Sequence, residues 1–345
     1  MHPSLPTQFY PSYWHCIHRQ PVPKPFFDRA LISFPPIPDS LLSMQFQVFA
    51  AAILVFPSVL ASETEITWIP LQSEKYLQDD KSKSFCSSST SHVNESYRWL
   101  ASRGVMLKDY RALHHPSQPN YISSVSGHRF GVETDLSYTI PSQHKTIVEL
   151  LDAKNISWGL YQEDMPYCGY EGDYYNKAGK RDYVRKHNPL ISYQSVMEKP
   201  SDAGAGRIKN FTKFYEDLEN ERLPQWMFIT PNMTNNGHDT STTFGLAWAQ
   251  RFLTPLLKDP RFMKNTLILL TWDEYENAFV DLFDGNENKV SSLLLGDAIP
   301  AKLRNTTKVA TKGGFTHYSI MSTVEKNWDL GNLTEVDGNA EPFWP

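Results

Sequence analysis

From about residue 96 onward, apolar positions alternate between two spacings. YRWLASRG (97–104) carries apolar residues at helical intervals and ends on glycine, and a short apolar run, VML (105–107), follows. The pattern predicts a helix closed near Gly104 with a strand behind it. TIVELLDAK (146–154) repeats the helical spacing, and ISWGLY (156–161) follows as a strand. QWMFIT (225–230) reads as a second buried strand; it leads into the loop PNMTNNGHD (231–239), and a helix is expected over roughly 243–258. The clearest strand is TLILLTW (266–272), continuous and apolar and followed at once by Asp273 and Glu274. Strands separated by helices predict an α/β fold whose mostly parallel sheet is covered on both faces. In such sheets ligands gather at the carboxyl ends of the strands.

The N-terminal part follows no such rhythm. MQFQVFAAAILVFPSVLAS, beginning at Met44, has the length and small-residue ending of a secretory leader, with cleavage expected after Ala61. It is too short to hold a bilayer span. Met44 is therefore read as the natural start, residues 1–43 as an extension and 44–61 as the signal peptide. Residues 62–95 are Ser- and Lys-rich, end in KSKSFCSSSTSHVNES and read as irregular loop, which leaves 96–345 as the catalytic domain.

Composition narrows the classes. The 345 residues are 40% hydrophobic and 13% aromatic, enough for a sizeable core, and the formal net charge of −5 with no sustained basic block argues against nucleic acid as a partner. Cys16, Cys86 and Cys168 match no thiolate zinc pattern; after leader cleavage only Cys86 and Cys168 would remain, able to pair in an oxidising compartment. Asn94, Asn155, Asn210, Asn232, Asn305 and Asn332 each begin an Asn-X-Ser/Thr sequon, so a leader and these acceptors together describe a secreted glycoprotein, extracellular or in the cell wall.

Three polar clusters lie beside predicted strand ends: HPSQPNY (115–121), Gly237-His238-Asp239, and Asp273-Glu274. An acid pair behind an apolar strand offers carboxylate oxygens on a rigid support and suits a divalent cation, although it could equally cap the next element. Pro116 and Pro119 predict an extended, turn-like course that fixes His115 and Asn120 relative to each other, with His114 an alternative to His115. His238 beside Asp239 could donate or ligate near neutral pH. Ser123, Ser124 and Ser126 approach Gly127, where a hydroxyl could be presented to a ligand; the Gly-X-Ser-X-Gly elbow of esterases is missing.

The segments ALHHPSQPNYISSVSG, ISWGLYQEDMPYCGY, DYVRKHNP, LPQWMFITPNMTNNGHDT, FMKNTLILLTWDE and SSLLLGDAIP, in that order over about 96–332, resemble the fungal phosphate-repressible acid phosphatases. That group belongs to the phosphoesterases related to bacterial phospholipase C and to acid phosphatase A type enzymes. The resemblance implies an alkaline-phosphatase-like α/β/α sandwich and hydrolysis of small phosphate monoesters through a serine nucleophile and one divalent metal ion. It places Ser126 as nucleophile, with Ser124 open, Asp273 and Glu274 as metal ligands, and His115, Asn120, His238, Asp239 and His317 as the other active-site positions. No stable membrane insertion is implied.

One feature departs from the family. Its relatives open with an apolar strand followed by Glu-Asn and an aromatic, and residues 62–95 show no such sequence. Either a first strand and two ligands are lost, or the text between the leader and Tyr97 is mistranslated, and weak or absent activity is expected from the chain as written. The alternatives are a phospholipase C-like phosphodiesterase and a catalytically impaired secreted glycoprotein.

Overall fold

The structure, a computed structural model, describes residues 95–275, 287–311 and 313–343, and the backbone of 51–52 and 66–71. The strands are β1 (Ala51–Ala52), β2 (Ile66–Leu71), β3 (Val105–Lys108), β4 (Tyr110–Arg111), β5 (Trp158–Gln162), β6 (Tyr174–Tyr175), β7 (Arg181–Tyr183), β8 (Ile208–Asn210), β9 (Trp226–Thr230), β10 (Leu267–Trp272), β11 (Ser292–Leu295), β12 (Thr306–Val309) and β13 (Phe315–Thr316). The helices are α1 (Glu95–Ala101), α2 (Ser117–Ser126), α3 (Ile147–Ala153), α4 (Gln194–Met197), α5 (Phe211–Glu219), α6 (Thr242–Leu256), α7 (Pro260–Met263), α8 (His317–Asn327) and α9 (Glu335–Asn339).

The main sheet runs β12-β3-β11-β10-β2-β9-β5-β8, and β1 pairs with the end of β10. From β10 to β8 every pairing is parallel. Antiparallel β11 enters between β10 and β3. The expected α/β class with a mostly parallel sheet is thus present, and the predicted strands at 105, 156, 225 and 266 all fall within it.

Strand alternation sorts the two faces. Trp158, Leu160 and Gln162 stand in register with Trp226, Phe228 and Thr230. On that face the Tyr121 ring of α2 lies 6.1 Å from Phe228, and Trp158 Nε1 donates to Asp152 of α3 at 2.9 Å. On the other face the Tyr161 hydroxyl donates to Asp217 of α5 at 2.8 Å, while Phe214 packs on Tyr161 and on Phe252 of α6. The result is a three-layer sandwich. Leu267, Ile268 and Leu269 are essentially solvent-free, each contributing about 1.5–3 kcal/mol by burial.

Two expectations are corrected. Residues 62–95 are not all loop: β2 lies inside the sheet, between β9 and β10. Pro70 in ITWIPL masks the strand, because proline removes a ladder donor and argues against a central position. Here it stands next to last, opposite Thr271, where one donor is lost. The second correction concerns 115–126, which turns helical at Ser117 instead of staying extended. Pro119 falls in the first turn, where a missing N–H leaves no intrahelical bond unmade. Gly127 ends α2 at φ 68°, and a Cβ there would meet the Asp337 side chain at 2.9 Å, so glycine is required.

Ala51 and Ala52, within the expected leader, pair with Trp272 and Thr271. The remainder of 44–61, residues 1–43, Cys86 and Asn94 lie outside the described residues. Cys168 is half-buried in the loop after β5.

A carboxyl pair joins α8 to α9. Asp337 accepts from the N–H groups of Leu333 and Thr334 at 3.0 and 2.8 Å, and Glu325 beside it is 4% exposed. Burial first, then the hydrogen bond and charge of Asp337, push the Glu325 carboxyl from 4.5 up to about 9. A folded-state pKa above the unfolded value favours folding fully below the unfolded pKa, and this contribution is lost as pH climbs toward the folded one. Glu325→Gln is therefore expected to raise the melting temperature at pH 8 and to leave it unchanged or lower at pH 4. Thermal melts at both pH values check this; an equal loss at both would contradict it.

Candidate active site

The apolar run of β10 ends at Trp272, and the next two residues, Asp273 and Glu274, remain inside the protein at 3% and 0% exposure. Burial opposes ionisation and raises both pKa values; the neighbouring Glu274 charge adds to the effect on Asp273, while His115 opposes it on Glu274. The two acids differ in how they are satisfied. Glu274 Oε2 lies 2.5 Å from His115 Nδ1, and its Oε1 accepts from the Ser117 hydroxyl at 3.1 Å. Asp273 makes no well-formed hydrogen bond with either oxygen among the described residues, although the Ser117 hydroxyl is near enough to ease its charge.

A buried carboxylate with both oxygens unpartnered costs several kcal/mol unless it is protonated or meets a cation. Asp273 therefore fits the divalent ion that the family implies. Glu274 fits less fully, because each of its oxygens is already engaged. Among the described residues no group of three or more His, Cys, Asp or Glu side chains comes together as a cation site.

The start of α2 faces these acids. Asn120, buried in its first turn, folds back: its Oδ1 accepts from the N–H groups of Leu113 and His114 at 2.9 and 3.0 Å, and its Nδ2 donates to the His114 carbonyl at 2.8 Å. Asn120 thus clamps the segment that carries His115 and Ser117. Ser117 also stands at the helix N-terminus, where the macrodipole favours developing negative charge.

His317, expected among the active-site positions, acts from behind. Its Nε2 donates to the Asp273 carbonyl at 2.6 Å, and its Nδ1 accepts from Tyr110 Oη at 2.9 Å. With both ring nitrogens engaged the imidazole is neutral, and burial lowers its pKa to about 4. It fixes the acid pair without facing it.

A second group of residues approaches from the β9 side. His238 Nδ1 lies 2.8 Å from Asp239, and its ring centroid is 6.0 Å from that of His187. His187 stacks on Tyr121 at 5.1 Å, and its Nε2 is buried with no partner among the described residues. Burial lowers the pKa of both histidines, opposed at His238 by Asp239. Tyr121 follows Ser117 by one helical turn, so α2 joins the two groups. The Lys186 charge acts on Asp273, Glu274, His187 and His238 alike.

The structure does not bring Ser126 to this cluster. It lies at the far end of α2, fully buried, its hydroxyl donating to the carbonyls of Ile122 at 2.9 Å and His128 at 2.7 Å. A ten-residue helix separates its ends by about 14 Å. Ser124 likewise donates to the Tyr121 carbonyl at 2.7 Å. The serine at the acid pair is Ser117, two residues after His115, and the signal for it was its place between Pro116 and the first helical turn. His187 and Lys186, in the segment DYVRKHNP, also escape single-sequence selection. Of the sequon asparagines, Asn155, Asn305 and Asn332 are exposed; Asn210 caps α5, and Asn232 Nδ2 donates to Asp164 at 2.6 Å.

Fold and site together define an α/β protein with an acidic, histidine-bordered polar site at the carboxyl edge of its sheet. The pattern of the Phosphoesterase family matches residues 62–331, and the chain belongs to that family. The match takes in β2, upstream of where the quoted motifs begin. The chain is 48% identical over 249 residues to the phosphate-repressible acid phosphatase of Penicillium chrysogenum, covering 72% of this chain and 58% of that protein. An acid phosphatase of Aspergillus fumigatus is 46% identical over 250 residues, covering 72% and 54%. The chain thus spans little more than half the length of these fungal relatives. The phosphatidylinositol-3-phosphatase of Mycobacterium tuberculosis is 29% identical, covering 71% and 72%. A solved structure of a Vibrio parahaemolyticus protein in the alkaline phosphatase superfamily overlays with a TM-score of 0.45 at 10% identity, covering 69% and 60%.

Asp273→Asn removes the unpartnered charge and keeps the shape. In chelator-treated protein it is expected to add ~1 kcal/mol, or roughly 2–4 °C, to stability near neutral pH. The gain should shrink at pH 4, because a raised carboxyl pKa costs stability as pH rises. Thermal melts of both proteins decide; a lower melting temperature at pH 7 would show that the Asp273 charge is compensated.

Proposed function

We propose that this chain is a secreted, glycosylated acid phosphatase that hydrolyses small phosphate monoesters through Ser117. The observation that carries the reading is the Ser117 hydroxyl, at a helix N-terminus and 3.1 Å from Glu274 Oε1, beside the unpartnered Asp273. The names of the fungal relatives supply the substrate class, and the leader-like segment with its sequons supports export.

In this mechanism Glu274 accepts the hydroxyl proton as Ser117 Oγ attacks phosphorus, and burial makes that carboxylate a better base than an exposed one. The P–O bond to the leaving alcohol breaks, and His238, oriented by Asp239, gives the alkoxide its proton. Water, losing a proton to His238, then attacks the phosphoserine; the P–O bond to Ser117 breaks, Glu274 returns the proton to Ser117 Oγ, and phosphate is freed. A divalent ion held by Asp273, with Glu274 alongside, would neutralise charge on the phosphoryl oxygens. The α2 N-terminus acts in the same sense.

Ser117→Ala is expected to lower kcat on p-nitrophenyl phosphate by at least about a thousandfold, with a stability loss of only about 1–3 kcal/mol from the hydrogen bond to Glu274. Ser126→Ala should keep its turnover and lose only about 1 kcal/mol of stability. Steady-state kinetics with added divalent ions reads both. Equal turnover by Ser117→Ala and the parent removes Ser117 from the reaction, and a parent inactive with every ion favours the impaired-glycoprotein alternative.

A further inference from the structure

The loop between α2 and α3 contributes one acid to the site's surroundings. Asp135 Oδ2 lies 2.7 Å from Lys186 Nζ, and its Oδ1 accepts from the Gln118 N–H at 3.1 Å. Gln118 directly follows Ser117. Its side-chain amide, with nitrogen turned toward the loop, donates to the Thr134 and Leu136 carbonyls at 3.2 and 2.6 Å, so the loop is gripped on either side of Asp135. The Lys186 side chain is only 12% exposed. One carboxylate therefore ties a largely buried ammonium to the first turn of the helix that starts with Ser117.

We propose that Lys186 is the cationic contact for the phosphoryl oxygens of the substrate and that Asp135 is the residue that positions it. The inference deepens the phosphatase reading and rests on it for the identity of the ligand. A lysine ammonium is a point charge on a flexible stem and needs an anchor to be held in one place. Asp273, which makes no well-formed hydrogen bond with either oxygen among the described residues, is a second carboxylate whose ionised form the Lys186 charge favours. Without its anchor the ammonium would be freer to pair with Asp273 and neutralise the carboxylate that suits a cation. Asp135 ties it instead to the first turn of α2, beside Ser117, where an incoming oxyanion would meet it. The Lys186 charge also reaches His187 and His238.

The test is a double-mutant cycle read by titration with inorganic phosphate, followed by intrinsic fluorescence, in parallel with KM for p-nitrophenyl phosphate. Asp135→Asn keeps an acceptor for the Gln118 N–H and loses the charge that holds Lys186. Asp135→Asn and Lys186→Ala are each expected to weaken phosphate binding and raise KM about tenfold. The double variant should be no worse than Lys186→Ala alone, because Asp135 acts through Lys186. Additive losses, unchanged phosphate affinity in Lys186→Ala, or no saturable phosphate binding by the parent would overturn the proposal. Lys186→Gln should behave as Lys186→Ala, which keeps the test sharp if Asp135→Asn fails to fold. Turnover of Ser117→Ala reports the nucleophile assignment and the phosphate titration of Lys186→Ala reports this one, so the two failures are read separately.

Discussion

The rest of the site is organised around one unfavourable fact, a pair of adjacent carboxyl groups buried where β10 leaves the sheet. Burying two acids side by side is costly, and a chain that keeps them surrounds them with compensation. Glu274 receives a hydroxyl and an imidazole. The Asp273 backbone is pinned by His317, which Tyr110 in turn fixes. Asn120 folds the HPS segment so that its two polar side chains reach Glu274. Among the described residues neither Asp273 carboxylate oxygen has a well-formed hydrogen bond, and a cation there would supply the missing compensation.

The supports also divide the labour between two faces of the sandwich. α5 and α6 fill one face with aromatic packing and take no part in the site, whereas α2 lies on the other with its N-terminus at the acids and Tyr121 against His187. Because Ser117 and Tyr121 are one turn apart on a helix buried along its length, moving either would move both. The site gains rigidity from that coupling, which suits positioning of a reacting hydroxyl.

Much of the fold was legible from hydrophobic spacing. The runs at 266–272 and 225–230 are continuous and apolar because their strands are buried on both faces, and such runs announce themselves. β2 was not legible: it contains Pro70 and is followed by polar text, so its place in the sheet is set by its neighbours β9 and β10. The acid pair, His115, Asn120 and His238 were singled out from their positions beside strand ends, and His115 does lie against Glu274. Ser117, the serine against Glu274, was not singled out; a residue before glycine looks exposed in sequence, while Ser126 is sealed against the carbonyls of Ile122 and His128. His317 was found as a residue without a role, because spacing cannot tell a side chain facing a site from one that holds the Asp273 carbonyl.

The central claim is that the reacting hydroxyl is the one next to Glu274. Its most direct test is acid quenching of the protein during turnover of a phosphate ester, followed by mass spectrometry of the peptide spanning residues 112–129, whose fragment ions separate the serines. The account predicts phosphate on Ser117. Phosphate on Ser126, or steady turnover with no phosphoserine in that peptide, would contradict it.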